Sequence, residues 1–328
     1  MLAAIVGARE SIYLEMYIFE GDTEGYDFLT ELERKAQAGL RVFVILDALG
    51  SFALATDSIE RLRAAGAEVR FFSYWLRRTH RKILIIDRST VFLGGVNISG
   101  KFARWKDLQI AVSGPAARVA TRSFAHVYRE CGGRDPSLLY FKKPKLVEKA
   151  QAWFYESGIR NRFFRLRQLY EKHVDGAKHS VVIVTPYITP HPWLIGILHR
   201  AIMRHVSVTI IIPEYTESKT FDRINQYYAH QFEKIGARVL LGGEMNHAKA
   251  MLVDDRVGTI GSHNLDTLSF DWNVEAGIFF EDKEMVSELS RIIGEWASES
   301  KEFEGGNYVT KWYDILLVSF LRIFQRTP

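Results

Sequence analysis

His80 and Lys82 stand two residues apart in THRKILIIDRSTVFLGGVNIS, residues 79–99. An imidazole beside an ammonium suits a phosphoryl group. The cation neutralises nonbridging oxygens while the imidazole attacks phosphorus or protonates the leaving oxygen. The same stretch continues through Asp87, Gly94, Gly95 and Asn97, whose side-chain amide can return to the phosphate. The pattern occurs again in NHAKAMLVDDRVGTIGSHNLD, residues 246–266, as His247, Lys249, Asp254, Gly261, Ser262 and Asn264, with its internal spacing unchanged. One histidine at a strand start is ordinarily a satisfied surface residue. Two copies of a six-position pattern turn it into an internal repeat.

The elements that must position these groups follow from the flanking residues. KILIID and KAMLVD are short aliphatic runs and predict buried strands. Side chains alternate along a strand, so His80 and Lys82 share a face about 7 Å apart. Asp87 falls at an odd offset, on the other face of a regular strand, and reads as structural, tying the turn that follows; Asp254 has the same place in the second copy. The glycines are expected to permit a tight turn.

Around the first copy, SIYLEMYIFE (11–20), RVFVILDA (41–48), EVRFF (68–72) and DLQIAVSGP (107–115) read as strands. Residues 25–39 carry Phe28, Leu29, Leu32 and Ala36 at helical period and stop at Gly39. A helix over 57–66 is expected to be capped by Asp57 and ended by Gly66, and another runs from Ala116. Residues 179–190, 207–214 and 232–243 repeat this order in the second half. Alternating strands and helices predict an α/β fold. The chain divides into a first repeat (1–140), a connector with a basic helix (141–176), a second repeat (177–300) and a C-terminal amphipathic helix (301–328).

The 328 residues suffice for such a duplicated unit, and 47% hydrophobic with 25% charged residues is the composition of a soluble globular chain. A single cysteine, Cys131, excludes an internal disulfide framework and a cysteine-based zinc cluster. The net charge of +4 suits anionic partners without choosing between lipid headgroups and nucleic acid. The N-terminus lacks the basic region of a signal peptide, and no stretch reaches the roughly 20 apolar residues of a membrane-spanning helix.

Two segments read as surface-active. Residues 159–174 carry Arg160, Arg162, Arg165 and Arg167 on a basic amphipathic helix, either a solvated face or a contact with an anionic surface. In 311–328, Lys311, Asp314, Ser319, Arg322 and Arg326 form a narrow polar stripe, and aromatic and aliphatic residues cover the rest. That pattern fits a helix lying in a membrane interface, or one packed on the domain or a partner subunit.

The doubled HxK(x)4D(x)6G[GS]xN pattern resembles the signature of the phospholipase D superfamily. LEMYIF, RTHRKILIID, GGVNIS, RWKDLQIAVSGPA, TPYITP, HAKAMLVDD and GSHNLD…NVE look most like bacterial cardiolipin synthases, over nearly the whole chain, and like the branch without N-terminal transmembrane segments. The resemblance implies two repeats, each a mixed sheet flanked by helices, packed about a pseudo-twofold axis around one active site. One departure is Leu268, where family members often carry Arg.

A catalytic histidine needs a carboxylate or carbonyl on its other nitrogen. Each repeat offers one acid at a similar distance beyond its Asn, Asp107 and Glu275, and the family's acids at these positions hydrogen-bond the histidines. The implied reaction is phosphodiester exchange through a covalent phosphohistidine. Lys82, Lys249, Asn97 and Asn264 bind the nonbridging oxygens, and family analogy makes His80 the nucleophile and His247 the acid and base. The two lysines supply the positive charge, so no metal and no cofactor is expected. The implied function is a phosphatidyltransferase that makes cardiolipin, with phosphatidylglycerol, and phosphatidylethanolamine as a further candidate, as substrates. A hydrolytic phospholipase D, a metal-independent nuclease and a membrane scaffold with a dead site are the rivals. The apolar C-terminal helix speaks against nucleic acid, and intact motifs speak against the dead site. The expected location is peripheral, at a bacterial cell membrane on its cytoplasmic face, held by 311–328 and 159–174.

Overall fold

Aliphatic strands buried on both faces build the centre of this protein, as expected where helices cover a sheet on each side. The structure, a computed structural model, describes residues 1–141, 151–158 and 164–322. The first repeat runs α1 (Leu2–Gly7), β1 (Ser11–Met16), a small hairpin of β2 (Asp22–Thr23) and β3 (Tyr26–Asp27), α2 (Phe28–Gln37), β4 (Arg41–Asp47), α3 (Thr56–Ala64), β5 (Glu68–Phe72), β6 (Lys82–Ile86), β7 (Thr90–Gly94), β8 (Gln109–Ser113) and α4 (Pro115–Glu130). A short α5 (Pro136–Leu139) and β9 (Ala152–Ser157) follow. The second repeat runs α6 (Phe164–Asp175), β10 (Ser180–Val184), β11 (Ile188–Thr189), α7 (Pro192–Met203), β12 (Ser207–Pro213), α8 (Lys219–Lys234), β13 (Arg238–Gly242), β14 (Ala250–Val253), β15 (Val257–Gly261), β16 (Leu265–Asp266), α9 (Thr267–Asp271), β17 (Glu275–Phe280), α10 (Lys283–Ser298), β18 (Lys301–Glu302) and α11 (Trp312–Arg322).

The first sheet has the order β5-β4-β1-β6-β7-β8, and the second contains the same order, β13-β12-β10-β14-β15-β17, between β18 and β9. In each, three strands are parallel and the motif strand joins antiparallel, β6 against β1 with Tyr13 opposite Ile85 and β14 against β10 with Val181 opposite Val253. Both sheets are therefore mixed, as expected. One continuous core contains Tyr13, Ile83, Ile85 and Phe124 from the first repeat and Val184, Ala250, Ile260 and Ile278 from the second. Two reciprocal backbone bridges, Thr79 with Val274 and Lys106 with Asn246, link the repeats. The same pair of positions is used twice with the repeats exchanged, which is the mark of a twofold contact.

Some local expectations change. Ala55, not Asp57, is the N-cap of α3; Asp57 lies in its first turn, where a carboxylate complements the helix dipole. The connector, for which no strand was expected, supplies β9, paired antiparallel to β17 with Phe154 opposite Ile278. Its strand character is hidden because both of its faces are covered. Arg160 and Arg162 lie outside the described residues. Arg167 is committed locally, to Glu171 at 2.8 Å and to the ring of Trp193.

The polar stripe of the C-terminal segment is divided: Lys311 and Ser319 are exposed, but Asp314 is not. Asp314 is buried and binds Arg223 of α8 at 2.6 Å, and Leu317, Val318 and Leu321 pack beside it. The helix therefore docks along the row 314, 317, 318, 321, a helical period. Trp312, Ile315 and Leu316 are left exposed. Residues 323–328 lie outside the described residues.

One buried ion pair distinguishes the repeats. Arg81 and Glu15 are fully buried, with Arg81 Nε donating to Glu15 Oε1 at 3.0 Å and further donation to Ser123 and the second carboxylate oxygen. The corresponding positions of the second repeat are Ala248 and Val184. Removing one partner strands a charge in the core. Glu15→Gln is therefore expected to lower unfolding free energy by about 3–5 kcal/mol, whereas Glu15→Val/Arg81→Leu loses markedly less. Denaturant titration of the three proteins checks this, and equal losses for single and double variants would count against it.

Candidate active site

Each histidine is placed by the other repeat. His80 precedes β6, and its N–H donates to the Val274 carbonyl at 3.0 Å, just before β17. The His247 N–H donates to the Lys106 carbonyl at 2.7 Å, just before β8. The side chains follow the same crossing. His80 Nδ1 lies 3.0 Å from Glu275 Oε1, and His247 Nδ1 lies 2.8 Å from Asp107 Oδ2. The acid of one repeat thus orients the imidazole of the other. A carboxylate on Nδ1 fixes the tautomer with the proton there and leaves the Nε2 lone pair for a substrate.

Lys82 and Lys249 begin or precede the two motif strands and are buried. Lys82 Nζ donates to the His80 carbonyl at 2.7 Å, and Lys249 Nζ donates to the His247 carbonyl. Lys82 also lies over the ring of Tyr17 at 5.0 Å. Burial pulls both ammonium groups down, Lys82 to about 8 and Lys249 to about 7, against the pull of Glu275 and Asp107 in the opposite direction. Lys249 feels Lys82, His80 feels Lys249 and His247 feels Lys82, so both motifs contribute to one electrostatic site. Burial, reinforced by the neighbouring lysines, also lowers both histidines, His247 to about 3. Burial alone would raise Glu275, but the hydrogen bonds of His80 and Ser262 and the charge of Lys82 hold it below the usual carboxylate range. Both imidazoles are therefore held toward the neutral form, the protonation state of a nucleophile and not of an acid.

The two asparagines are buried beside the histidines but differ. Asn97 Oδ1 accepts from the Ile18 N–H at 3.4 Å, leaving its amide NH₂ for a ligand. Asn264 donates from Nδ2 to Asp266 Oδ2 at 3.1 Å, and its Oδ1 is buried without a partner. The acids are also supported differently. A Cβ on Gly95 would come within 2.1 Å of Asp107 Oδ1, so only glycine fits there. At the equivalent position Ser262 donates its hydroxyl to Glu275. Gly94, Gly95 and Gly261 do not have positive φ; close approach requires them, not the tight turn expected from their type.

Asp87 and Asp254 are outside this cluster. Asp87 accepts from the N–H groups of Arg9, Glu10 and Ser11, and Asp254 from those of Lys178, His179 and Ser180. Each ties the start of β1 or β10 to the end of the motif strand. They are structural, as expected, but what they tie is the start of the neighbouring strand and not the following turn. Leu268 is exposed.

Sequence reasoning missed the aromatic walls. The Tyr17 ring meets the His80 ring edge-on at 4.8 Å, Tyr187 lies 6.4 Å from His247, and Trp105 lies 5.5 Å from it. A signal was present: Tyr17 and Tyr187 follow the equivalent strands β1 and β10 in MYIF and PYIT.

A family model described as cardiolipin synthase, PLD-like domain matches residues 1–127 and 170–296. Among curated proteins, the chain is 29% identical over 332 residues to the major cardiolipin synthase of Bacillus subtilis, covering 95% of this chain and 69% of that protein. It is 29% identical over 311 residues to cardiolipin synthase A of Pseudomonas putida, covering 89% and 64%. A cardiolipin synthase of Listeria monocytogenes matches at 29% over 309 residues, covering 88% and 64%. The chain spans about two thirds of the length of these relatives. Among solved structures, the fold is shared with phosphatidylserine synthase of Haemophilus influenzae Rd KW20 (TM-score 0.74, 15% identity, 98% of this chain and 89% of that one). It is also shared with polyphosphate kinase of Porphyromonas gingivalis (TM-score 0.64, 14% identity, 98% and 50%).

Proposed function

The chain belongs to the phospholipase D-like family described by the cardiolipin synthase domain, and from that premise we propose that it is a phosphatidyltransferase that forms cardiolipin. The observation that carries the proposal is the crossed pairing of His80 with Glu275 and His247 with Asp107. It supports two imidazoles working on one phosphorus with two lysines beside them.

In the proposed cycle His80 Nε2 attacks the phosphorus of one phosphatidylglycerol, and the bond to the glycerol oxygen breaks. His247 gives that oxygen a proton as it leaves. His247, which burial holds toward the neutral form, takes on the proton from solvent as the phosphodiester anion enters, because added negative charge favours the imidazolium. His247 then removes the proton from the hydroxyl of a second phosphatidylglycerol, whose oxygen attacks the phosphohistidine and releases His80. Lys82, Lys249 and the amides of Asn97 and Asn264 bind the nonbridging oxygens and the charge that builds on them. Phosphatidylethanolamine is a second donor with the same phosphodiester.

The exposed apolar face of α11 supports a peripheral site at a lipid surface, together with the basic segment 159–174. We assign the protein to a bacterial cell membrane, on its cytoplasmic face. Among the described residues no helix is long and apolar enough to cross a membrane.

Product analysis tests the function. Labelled phosphatidylglycerol vesicles are expected to yield cardiolipin and free glycerol, with both lost in His247→Ala. Phosphatidic acid as the main product would make the protein a lipase that uses water. Cleavage of DNA without either lipid product would replace the lipid reading with a nuclease.

A further inference from the structure

The rim beside His80 exposes apolar side chains on rigid loops. The loop between β4 and α3 leaves Leu49 55% and Phe52 79% exposed, and the segment before β6 leaves Trp75 88% exposed with Tyr74 and Leu76 on either side. One buried carboxylate ties the two together. Asp47 Oδ1 accepts from the N–H groups of Leu49 and Gly50 at 3.1 and 3.0 Å, and Oδ2 accepts from that of Thr79 at 2.9 Å. Ser51 Oγ donates to the Tyr17 carbonyl at 2.9 Å and accepts from the Phe19 N–H at 3.1 Å. Gly50 lies so close that a Cβ would come within 2.2 Å of the same carbonyl. Tyr17 in turn rests on His80. The frame that carries these hydrophobes is therefore the frame that carries the histidine.

We propose that this first-repeat rim, Leu49, Phe52 and Tyr74–Leu76, inserts into a lipid surface and presents His80 at headgroup depth. The inference rests on the reading of the substrate as a two-chain phospholipid. Such a phosphodiester lies at the bilayer interface, so a histidine that reaches it must be flanked by groups that pass the headgroups. Aromatic and leucine side chains favour that boundary. Loops already fixed by Asp47 and Ser51 lose little conformational freedom on insertion. Charge is complementary as well. Arg78 donates to the carbonyl oxygens of Tyr74, Trp75 and Arg77 and its charge is felt by Asp47, but it makes no ion pair within 4.0 Å among the described residues, so the rim carries a cation that suits anionic lipid. The equivalent loop of the second repeat, between β12 and α8, carries Glu214 and Glu217 around the exposed Tyr215 and lacks this character. Of the two equivalent β–α loops, the one in the first repeat is thus the one fitted to insert beside the site.

The test is vesicle binding in a His80→Ala background, so that turnover plays no part. The parent is expected to sediment with vesicles of phosphatidylglycerol and phosphatidylcholine. The Trp75 share of its fluorescence, found by difference from Trp75→Phe, is expected to be quenched by phosphatidylcholine brominated near the carbonyl end of its chains. Phe52→Ser/Trp75→Ser should lower partitioning at least about tenfold with an unchanged melting curve, both side chains being exposed. Trp312→Ser separates the contribution of α11. Parent-like partitioning of the double variant, or an unquenched Trp75, overturns the inference. So does a changed sedimentation coefficient of the lipid-free double variant, which would make the rim a contact between copies. Intact insertion with no cardiolipin from the wild-type protein would instead sink the proposed function and leave the rim standing.

Discussion

His80→Ala is expected to lower kcat at least about 10⁴-fold on phosphatidylglycerol vesicles, and Glu275→Gln about 10²–10³-fold with a much smaller change in KM. The first removes the atom proposed to attack phosphorus. The second keeps the shape of the side chain but offers an amide to Nδ1, which favours the tautomer with the proton on Nε2 and hides the lone pair. Burial already holds the imidazole neutral and Lys82 adds to this, so what Glu275 supplies is orientation and tautomer. Rapid alkaline quench after mixing with lipid labelled at phosphorus should trap an adduct on His80, absent from His80→Ala and scarcer in Glu275→Gln. An adduct on His247 would reverse the roles of the two histidines, and unchanged kcat in Glu275→Gln would remove the crossed pair from the mechanism.

Lys249→Met is expected to cost about 10²–10³-fold in kcat/KM and yet to stabilise the fold at neutral and acid pH. The ammonium is buried and held at about 7 against an ordinary 10.5, chiefly by desolvation. Between those values the unfolded chain binds a proton that the folded chain does not, so this group's contribution to stability rises with pH across that window. Below about 7 its full penalty is present. Methionine relieves the penalty, by on the order of 2–4 kcal/mol, and its advantage shrinks as pH rises from 7 toward 10. Melting curves at pH 6 and pH 9 check this; a variant less stable than wild type at pH 6, or an advantage that grows with pH, would contradict it. The activity of the wild type carries the same signature. The lysines bind phosphate only when protonated, so kcat/KM should fall as pH rises through 7 to 8, the region where Lys249 and Lys82 lose their protons.

A lysine expected to destabilise the fold is accounted for by the phosphate-binding role proposed for it. The second repeat shows the contrast: it dispenses with the ion pair of Arg81 and Glu15 by placing Ala248 and Val184 there, but keeps Lys249 buried beside His247.

The sequence by itself determined what is local or repeated. A strand places side chains two residues apart on one face, so His80 with Lys82 and His247 with Lys249 were legible as pairs. The unchanged spacing of the two motifs made the duplication legible, and alternating strands and helices made the α/β class legible. The tertiary structure decided everything that joins distant positions. Glu275 reaches His80 across 195 residues and Asp107 reaches His247 across 140, and no spacing rule says which acid serves which histidine. The docking face of α11 was not legible because the burial of Asp314 depends on Arg223 of another helix. The strand at 152–157 was not legible because a strand largely covered on both faces has no alternation to show. The apolar rim at Phe52 and Trp75 has the same cause. Chain order places these residues in two separate loops, and only the bonds of Asp47 to both loops bring them to one edge of the site.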